Sequence, residues 1–550
     1  MHQLLSVLSE RISAGLKHKT LTTCSKWAEQ YRVMGQPYPG KWNFDHHPWT
    51  REMHDCTDEL IIGQKAAQMG YTEVALNKTF YNIDVNGYSC LYILPAAKPD
   101  ASDFSSARFD PALEMSKHLE DMFSDVKNVH HKRAGNANLF IRGSRSRSQL
   151  KSIPVAFIVF DELDEMDQKN LSLADERQSG QLNVQSLKIS TPTIEGKGIS
   201  SEFERSTQEN FFFKCPQCNK LTQLIFPECL VITSDDPNSK DILNTHIICK
   251  ECKVLLPHED KIHFLRNGIW VPKRTDRLSR GFHVNQLYSM QVEPYKLAQL
   301  FLKAQHNPTD EQEFYNSKLG ETHTVKGAQV TDQELEACMG SHEQVYKAPD
   351  NALTTMGVDV GSKYLHIEID QWFFDNNEAA DINLSAKAKL LLETKITEFE
   401  QLDEFMHLFN IRFCVIDAQP ERRKSLEFAQ RWNGRVKVCF YPNGINGKNI
   451  KINPDTEHTI SVDRTSWLDL SLGRFRRAAI ILPMNISLEY KEHIKALARI
   501  YSKDSSGNPI GKYDKADSKD DHFAHSRTYS EIALPLGISL ERSYDIGNIF

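Results

Sequence analysis

The chain has 550 residues, of which 40% are hydrophobic and 25% charged, and a formal net charge of −7. These values predict a globular protein of about two to four domains, and the negative charge gives no sign of nucleic-acid binding, although a local basic track can lie on an acidic molecule. No apolar run reaches the roughly 18 residues of a membrane-spanning helix, and the N-terminus lacks a signal-peptide pattern.

The first part of the chain is predicted to be helical, and an α/β sheet follows it. Residues 1–40 have an amphipathic helical pattern with a polar surface, and glycine and proline cluster between Gly35 and Pro48, where we expect a loop. Residues 41–210 alternate short apolar, β-rich runs with helical patterns. Buried apolar strands that alternate with helices predict a parallel sheet.

A phosphate-binding loop is predicted at residues 65–72, with its lysine in an unusual place. In the usual G-x-x-x-x-G-K-S/T pattern, Gly70 takes the sixth position and Thr72 the eighth, where its hydroxyl can ligate magnesium. Tyr71 stands where lysine is expected, and Lys65 stands in the first position. Because the loop wraps around the phosphates, Lys65 can still reach them, and backbone N–H groups complete the anion site. A surface helix end that carries one lysine is the alternative. The predicted nucleotide-binding residues are Lys65, Ala66, Ala67, Gln68, Met69, Gly70, Tyr71 and Thr72.

The apolar run Phe157–Phe160 ends in Asp161 and Glu162, as an ATPase strand does. Asp161 is predicted to hold magnesium through water, and Glu162 to polarise the attacking water. Alone, the pair could be a strand end before an acidic turn, but the phosphate loop upstream favours the ATPase interpretation. The segment Ser190–Thr193 follows the next strand and is predicted to sense the γ-phosphate.

A basic cluster lies just before the Asp-Glu strand, at Arg142, Arg145, Arg147 and Lys151. Arg145 or Arg147 is predicted to act as an arginine finger for the γ-phosphate, in cis or toward a neighbouring subunit. A solvated loop and a DNA contact are the alternatives for this cluster.

The 11 cysteines, an odd number, favour a reducing compartment over a disulfide framework. Four of them form two C-x-x-C pairs, and four thiolates suit one tetrahedral structural zinc ion. A redox pair or unliganded buried cysteines are the alternatives. The predicted zinc ligands are Cys215, Cys218, Cys249 and Cys252.

Three aspartates in a second α/β unit, residues 352–550, predict a metal-dependent nuclease. Asp359 lies within an apolar strand, Asp417 ends a later strand, and Asp521 opens a late helix. The order of three strands, helix, strand, helix, strand and late helix is the ribonuclease-H-like order. Carboxylates in these slots can hold two Mg²⁺ or Mn²⁺ ions about 4 Å apart. Asp520 is the alternative to Asp521 as a ligand.

Taken in order, these features resemble the large terminase subunits of tailed bacteriophages, of the lambda-type GpA family. The resemblance extends from about residue 40 to about residue 535. Its markers are residues 65–72, 94–95, 108–111, 161–164, 190–193, 215–218 and 316–321, and the three aspartates.

The resemblance implies a motor that uses ATP to drive double-stranded DNA into a procapsid, and a nuclease that cuts concatemeric genomes. It also implies a homo-oligomeric ring on the portal protein, a small terminase subunit docked on residues 1–40, and action in the host cytoplasm. A portal contact is implied near the C-terminus, where the short distance from Asp521 to Phe550 predicts a short portal-binding tail.

An aromatic side chain for the adenine is also implied before the phosphate loop. The candidates are Trp42, Phe44 and Trp49. For each of them separately, an ordinary core or surface aromatic is the alternative.

The expected architecture is an α/β, P-loop (ASCE-type) ATPase domain over residues 41–345 and a ribonuclease-H-like nuclease domain over residues 350–550. Residues 211–255 form a zinc-ribbon-like insert with four cysteine ligands in the ATPase domain. A DNA repair or recombination helicase-nuclease is an alternative, but it needs a second motor lobe, for which residues 256–345 are too short. A non-enzymatic capsid or portal adaptor is disfavoured by the intact acidic positions.

Overall fold

The computed structural model describes residues 23–547, apart from 125, 152, 375–381, 443, 446, 453–455 and 504–508. The chain divides into two compact units, Met1–His323 and Thr324–Phe550. Residues 1–22, most of the predicted small-subunit docking region, lie outside the described residues. The helices of the described part include none with the length and apolar character needed to span a membrane.

The first unit combines short helices with sixteen strands among its described residues. Its α-helices are α1 (Cys24–Tyr31), α2 (Thr50–Asp55), α3 (Tyr71–Asp84), α4 (Ser102–Phe104), α5 (Asp110–Met115), α6 (Lys117–Met122), α7 (Leu171–Asp175), α8 (Gly198–Glu204), α9 (Lys261–Leu265), α10 (Pro294–Ala304) and α11 (Pro308–Glu313). Its strands are β1 (Val33–Met34), β2 (Gly40–Lys41), β3 (Leu60–Lys65), β4 (Cys90–Leu94), β5 (Val126–Asn128), β6 (His131–Ala134), β7 (Ala137–Gly143), β8 (Phe157–Asp161), β9 (Gln185–Ser190), β10 (Glu209–Lys214), β11 (Leu221–Thr222), β12 (Leu230–Val231), β13 (His246–Ile248), β14 (Leu255–Leu256), β15 (Ile269–Val271) and β16 (Arg280–Val284).

Short 3-10 and π-helical segments lie between these elements. The segments Ala97–Ala101, Ser105–Phe109 and Phe314–Leu319 are π-helical. The 3-10 segments are Arg147–Leu150, Leu163–Glu165, Gln168–Asn170, Glu176–Gln178, Lys240–Asn244 and Gln286–Tyr288.

One large sheet organises the first unit. Its strand order is β11-β10-β16-β3-β9-β8-β4-β7-β6-β5, and β15 also pairs with β10. The central strands β16, β3, β9, β8, β4 and β7 run parallel. Strands β4 and β8 are buried at every position, as expected for parallel strands covered on both faces. The predicted mixed α/β class is thereby confirmed, and the carboxyl ends of β3, β8 and β9 meet at one edge of the sheet.

The second unit begins earlier than the sequence predicts. The expected change of domain lies at residues 345–350, whereas the units divide between His323 and Thr324. Val330, Leu335 and Cys338 are buried in a core cluster of the second unit. Residues 324–345 therefore belong to the second unit because their apolar side chains complete its core.

The second unit has α12 (Asp332–Ala337), α13 (Ile382–Ser385), α14 (Gln401–Leu408), α15 (Arg422–Arg431), α16 (Arg464–Arg476), α17 (Leu488–Ala496) and α18 (His522–Gly547). Its strands are β17 (Thr354–Val360), β18 (Leu365–Phe374), β19 (Ala386–Ile396), β20 (Phe413–Asp417), β21 (Val436–Phe440), β22 (Lys451–Ile452), β23 (Thr459–Ser461), β24 (Ile480–Ile481), β25 (Ala498–Lys503) and β26 (Pro509–Asp514).

A mixed sheet of order β22-β23-β21-β20-β17-β18-β19-β24 forms the second unit. Strands β17, β18 and β19 are antiparallel neighbours, and β20 and β21 run parallel to β17. Helix α18 packs closely on β17: a Cβ atom added at Gly357 would lie 1.9 Å from the Ser526 backbone oxygen. The longer strands and helices up to β21 follow in the predicted order, with α18 as the late helix.

Candidate active sites

The predicted phosphate loop connects the end of β3 to the start of α3. Gly70 caps α3 with a left-handed backbone, φ 82°, and Gln68 is also left-handed, φ 61°. The loop opens onto a cavity of about 680 Å³. Seven of the eight predicted nucleotide-binding residues line this cavity, namely Lys65, Ala67, Gln68, Met69, Gly70, Tyr71 and Thr72.

Asp161 ends β8 and is buried. The Tyr92 hydroxyl donates to Asp161 Oδ2 at 2.6 Å. Burial and the neighbouring Glu162 carboxylate raise the pKa of Asp161 to about 6, although Lys65, Tyr92 and Thr72 act to lower it. Thr72 and Asp161 are thus close enough to interact.

Glu162 differs from Asp161 because its side chain lines the cavity. Its backbone is left-handed, φ 63°, a conformation that costs energy in a residue with a side chain and is typical of functional sites. The Lys65 ammonium donates to Glu162 Oε1 at 3.0 Å. The displaced lysine therefore reaches the carboxylate that is predicted to polarise water.

The segment Ser190–Thr193 is bonded to the turn that follows Glu162. Asp164 Oδ2 accepts from the Thr193 hydroxyl at 2.8 Å, and Asp164 Oδ1 accepts from the Ile199 N–H at 2.8 Å. Thr191 lines the cavity. Asp164 thus connects Thr193 to Ile199 in α8.

A segment near the end of the first unit closes on the phosphate loop. The Ala67 N–H donates to the Ser317 backbone oxygen at 2.7 Å, and Gln64 Nε2 donates to the Gly320 oxygen at 2.9 Å. Asn316 Nδ2 donates to the Thr193 oxygen at 2.8 Å. In the sequence, residues 316–321 stand out only as a family marker, because contacts between residues so far apart in the chain leave no local signal.

The two predicted arginine fingers lie outside the cavity lining. Arg145 and Arg147 are exposed, and neither contributes to the cavity wall. Arg108 does line it; its side chain is 58% exposed, and its guanidinium lies 3.9 Å from Glu73 Oε1. The role of Arg145 or Arg147 stays a prediction. Arg108 is a cavity cation that the sequence identifies only as part of the family marker at residues 108–111.

The aromatic candidates for adenine separate clearly. Trp42 lines the cavity, whereas Phe44 and Trp49 do not. Trp49 is fully buried and donates from Nε1 to the Met69 oxygen at 2.9 Å. Tyr38, which the sequence analysis missed, lines the cavity and stacks on His46 with ring centroids 3.8 Å apart.

The two cysteine pairs come together in the first unit. The Sγ atoms of the four cysteines all lie within 4.8 Å of one another. Each pair ends in a tight turn, in which the Asn219 N–H donates to the Cys215 oxygen and the Lys253 N–H donates to the Cys249 oxygen. Asn219 and Lys253 have φ 56° and 60°. Four converging sulfurs match the donor set of a structural zinc site.

In the second unit, Asp359 lies within β17 and Asp417 ends the neighbouring β20. Burial and the Asp359 carboxylate raise the pKa of Asp417 to about 6. Asp521 immediately precedes α18. Its Oδ2 lies 3.3 Å from His525 Nε2, and His525 also lowers the pKa of Asp417. The charge of Asp359 therefore acts on Asp417, and His525 acts on Asp417 and contacts Asp521.

The alternative ligand Asp520 is exposed, whereas Asp521 is largely buried. Asp521 Oδ1 lies 3.4 Å from Lys515 Nζ. Burial by itself raises the pKa of Asp521, but His525 and Lys515 outweigh this and hold it well below its usual value. These surroundings favour Asp521 over Asp520 as a charged ligand.

Histidines that the sequence analysis missed flank this site. His522 Nδ1 lies 2.7 Å from Asp359 Oδ2. The His522 ring stacks on His366, with ring centroids 4.3 Å apart. His366 lies opposite Asp359 in the β17–β18 register, a pairing that local sequence does not reveal.

Two consecutive family models match the chain. Residues 36–270 match the phage terminase large subunit gpA, ATPase domain, and residues 279–380 match the terminase large subunit gpA, endonuclease domain. The chain belongs to the gpA family of phage terminase large subunits. Within this terminase family, the endonuclease match includes Asp359 and ends before Asp417 and Asp521.

The chain is also similar to individual terminases. The large terminase subunit of Escherichia phage lambda is 26% identical over 333 residues, which are 54% of this chain and 51% of that protein. The match thus spans about half the length of this relative. The HK97 bacteriophage large terminase structure has 11% identity and a TM-score of 0.48, covering 94% of this chain and 99% of that one. The ATPase domain of the Thermus phage P74-26 large terminase has 13% identity and a TM-score of 0.31, covering 50% of this chain and 92% of that one.

Proposed function

We propose that this terminase hydrolyses ATP to move double-stranded DNA into a procapsid and cuts concatemeric DNA with a metal-dependent endonuclease. One observation carries the proposal: a cavity lined by the predicted phosphate loop and Glu162 lies in one unit. In the other unit, the Asp359 charge acts on Asp417, and Asp521 contacts His525, which also acts on Asp417. The gpA family membership supports both halves.

The first unit acts as a P-loop ATPase of the ASCE type in this proposal. The N–H groups of the loop and the N-terminus of α3 bind the phosphates. Thr72 and Asp161 would hold Mg²⁺, and Asp161 fits this role because its Oδ1 atom is buried with no hydrogen-bond partner among the described residues. Mg²⁺ supplies neutralisation of charge on the phosphates.

Glu162 orients the attacking water. Lys65 neutralises negative charge on Glu162 on one side of that water and on the γ-phosphate on the other side. Since the Lys65 ammonium is 3.0 Å from Glu162 Oε1, one cation serves the carboxylate and is placed to serve the γ-phosphate. Thr191, Thr193 and Asp164 then pass the change in phosphate charge to α8. An arginine finger from Arg145 or Arg147 would act across a subunit boundary, because neither residue lines its own cavity.

The second unit acts as a ribonuclease-H-like nuclease in this proposal. Asp359, Asp417 and Asp521 would hold two Mg²⁺ or Mn²⁺ ions. They fit such ions because the Asp359 carboxylate disfavours a second charge on Asp417 until a cation compensates it. The two ions supply activation of water and stabilisation of the leaving oxygen.

Zinc at the four cysteines would be structural, because four sulfurs leave no open coordination position. Loss of the zinc is expected to destabilise β10–β14, since the two turns that hold the cysteines follow β10 and β13.

We further infer that the protein acts in the host cytoplasm as a homo-oligomeric ring, with a small terminase subunit and a portal protein as partners.

The decisive experiment measures cutting and ATP hydrolysis on the same preparations. Wild type is expected to cut plasmid DNA in Mg²⁺ or Mn²⁺, and Asp359→Ala is expected to lose cutting while it keeps ATP hydrolysis. Asp350→Ala, an exposed aspartate of the same unit, is the matched control. Absence of cutting by wild type in both metals, or strand separation by the pure protein, would contradict the proposal.

A further inference from the structure

A cluster of two histidines and a glutamate lies beside the proposed nuclease site. His366 comes from β18, and Glu489 and His493 come from α17. One ligand atom from each of the three lies within 4.8 Å of the other two. The i, i+4 spacing of Glu489 and His493 places both on one face of the helix.

The two histidines of the cluster are buried, and Glu489 is exposed. His366 and His493 are only 4% and 6% exposed. The His366 Nδ1 atom is buried and has no hydrogen-bond partner among the described residues. The rings of His366 and His493 have centroids 5.9 Å apart. An unpartnered buried nitrogen is costly, and a bound cation would remove that cost.

The other polar contacts of the cluster are few. The Lys395 ammonium donates to both Glu489 oxygens, at 2.8 and 2.7 Å. The Phe523 N–H lies 3.4 Å from His493 Nδ1, at the long limit of a hydrogen bond. A cation would therefore share Glu489 with Lys395.

We propose that His366, His493 and Glu489 bind one divalent transition-metal ion of the zinc class. This ion would lie next to a second group, Asp359, His366 and His522, whose ligand atoms also lie within 4.8 Å of one another. Two imidazoles and one carboxylate suit Zn²⁺, Co²⁺ or Mn²⁺, whereas Mg²⁺ and Ca²⁺ prefer all-oxygen sites. Three protein ligands leave a fourth position open to water. The site neighbours the nuclease because His366 stacks on His522, which contacts Asp359.

The test counts ions bound to the full chain and requires neither ATP nor DNA, so it does not depend on the proposed activities. The metal-stripped protein is titrated with Zn²⁺, and bound zinc is measured by atomic emission. Wild type is expected to bind one ion more per chain than His366→Gln, His493→Gln or Glu489→Gln. Glu489 is 41% exposed, so its variant should fold even if a buried histidine variant does not.

Two control variants locate the ion. Asp417→Asn removes a nuclease carboxylate and is expected to keep the wild-type zinc count. His306→Gln changes an exposed histidine of the other unit and should also keep it. Equal counts for wild type, His493→Gln and Glu489→Gln would overturn the proposal. Loss of the same ion in Asp417→Asn would overturn it too, because the ion would then belong to the aspartates.

Discussion

Asp161 and Glu162 are neighbours in sequence, yet their side chains lie in different surroundings and are suited to different roles. Asp161 is buried, and one of its oxygens accepts from Tyr92. Glu162 faces the cavity and is paired with Lys65. A fixed, buried carboxylate is suited to a metal ion, whereas a partly exposed one can contact a water molecule that enters with the substrate.

Tyr92 is expected to position Asp161 for ATP hydrolysis. In Tyr92→Phe the ring still packs against Phe104 and Phe109, but the hydrogen bond to Asp161 is lost. A hydrogen bond to a charged group contributes about 1.5–3 kcal/mol, so kcat should fall by about one to two orders of magnitude. Steady-state ATPase assays measure this, with Tyr81→Phe as the control. An unchanged kcat in Tyr92→Phe would show that Asp161 needs no such support.

Glu162→Gln separates the two proposed activities. The amide keeps the shape of the side chain but cannot polarise water as a carboxylate does, so ATP hydrolysis should fall at least about a hundredfold. Metal-dependent cutting of plasmid DNA should stay at the wild-type rate, because the aspartates lie in the other unit. The exposed Glu165→Gln is the control and should keep both activities. If Glu162→Gln stops cutting while hydrolysis persists, the assignment is wrong.

At the scale of elements, the sequence predicts those features that are formed by residues contiguous in the chain. The apolar run of β8 with its acidic end, and the turn from β3 into α3 at Gly70, are each contiguous in the chain, so their position in the fold could be predicted. Tyr92, Arg108 and His366 were missed because only pairing and packing between distant segments brings them to the sites. The start of the second unit was missed because α12 has six residues, too few for a clear apolar period.

The segment around Gly320 is expected to support the phosphate loop. Gly320 has φ +68°, and an added Cβ atom would lie 2.5 Å from the Ala66 backbone nitrogen. Backbone atoms cannot rotate away, so Gly320→Ala should weaken ATP binding and lower the free energy of unfolding by more than about 1 kcal/mol. Nucleotide titration and denaturant unfolding measure these effects.

Gly327→Ala is the matched control for this substitution. Gly327 has a similar φ of +78°, but an added Cβ atom there meets nothing within 4 Å. It carries the same backbone strain without the collision, so it should leave ATP binding unchanged. Equal ATP affinity in the two variants would mean that the contact of Gly320 with the loop is unimportant.

At the scale of the whole molecule, each unit has its own buried apolar clusters. Two clusters lie entirely within the first unit, and three lie entirely within the second. A unit that buries its own core can fold without the rest of the chain. The division at His323 and Thr324 therefore has a measurable consequence for fragments of the protein.

Residues 324–550 should fold alone and unfold in one cooperative transition, whereas residues 350–550 should be much less stable. The shorter fragment loses the buried side chains of Val330, Leu335 and Cys338, and burial of a large apolar side chain contributes roughly 1.5–3 kcal/mol. It also loses the hydrogen bonds of Cys338 and Gly340 with Leu482, both 2.8 Å. The free energy of unfolding in urea should thus be several kcal/mol lower for 350–550 than for 324–550. A fragment that starts at residue 279, where the endonuclease family match begins, should be no more stable than 324–550, because residues 279–323 belong to the first unit. Equal stability of 324–550 and 350–550 would contradict the division at residue 324 and would favour the boundary at residues 345–350 that the sequence predicts.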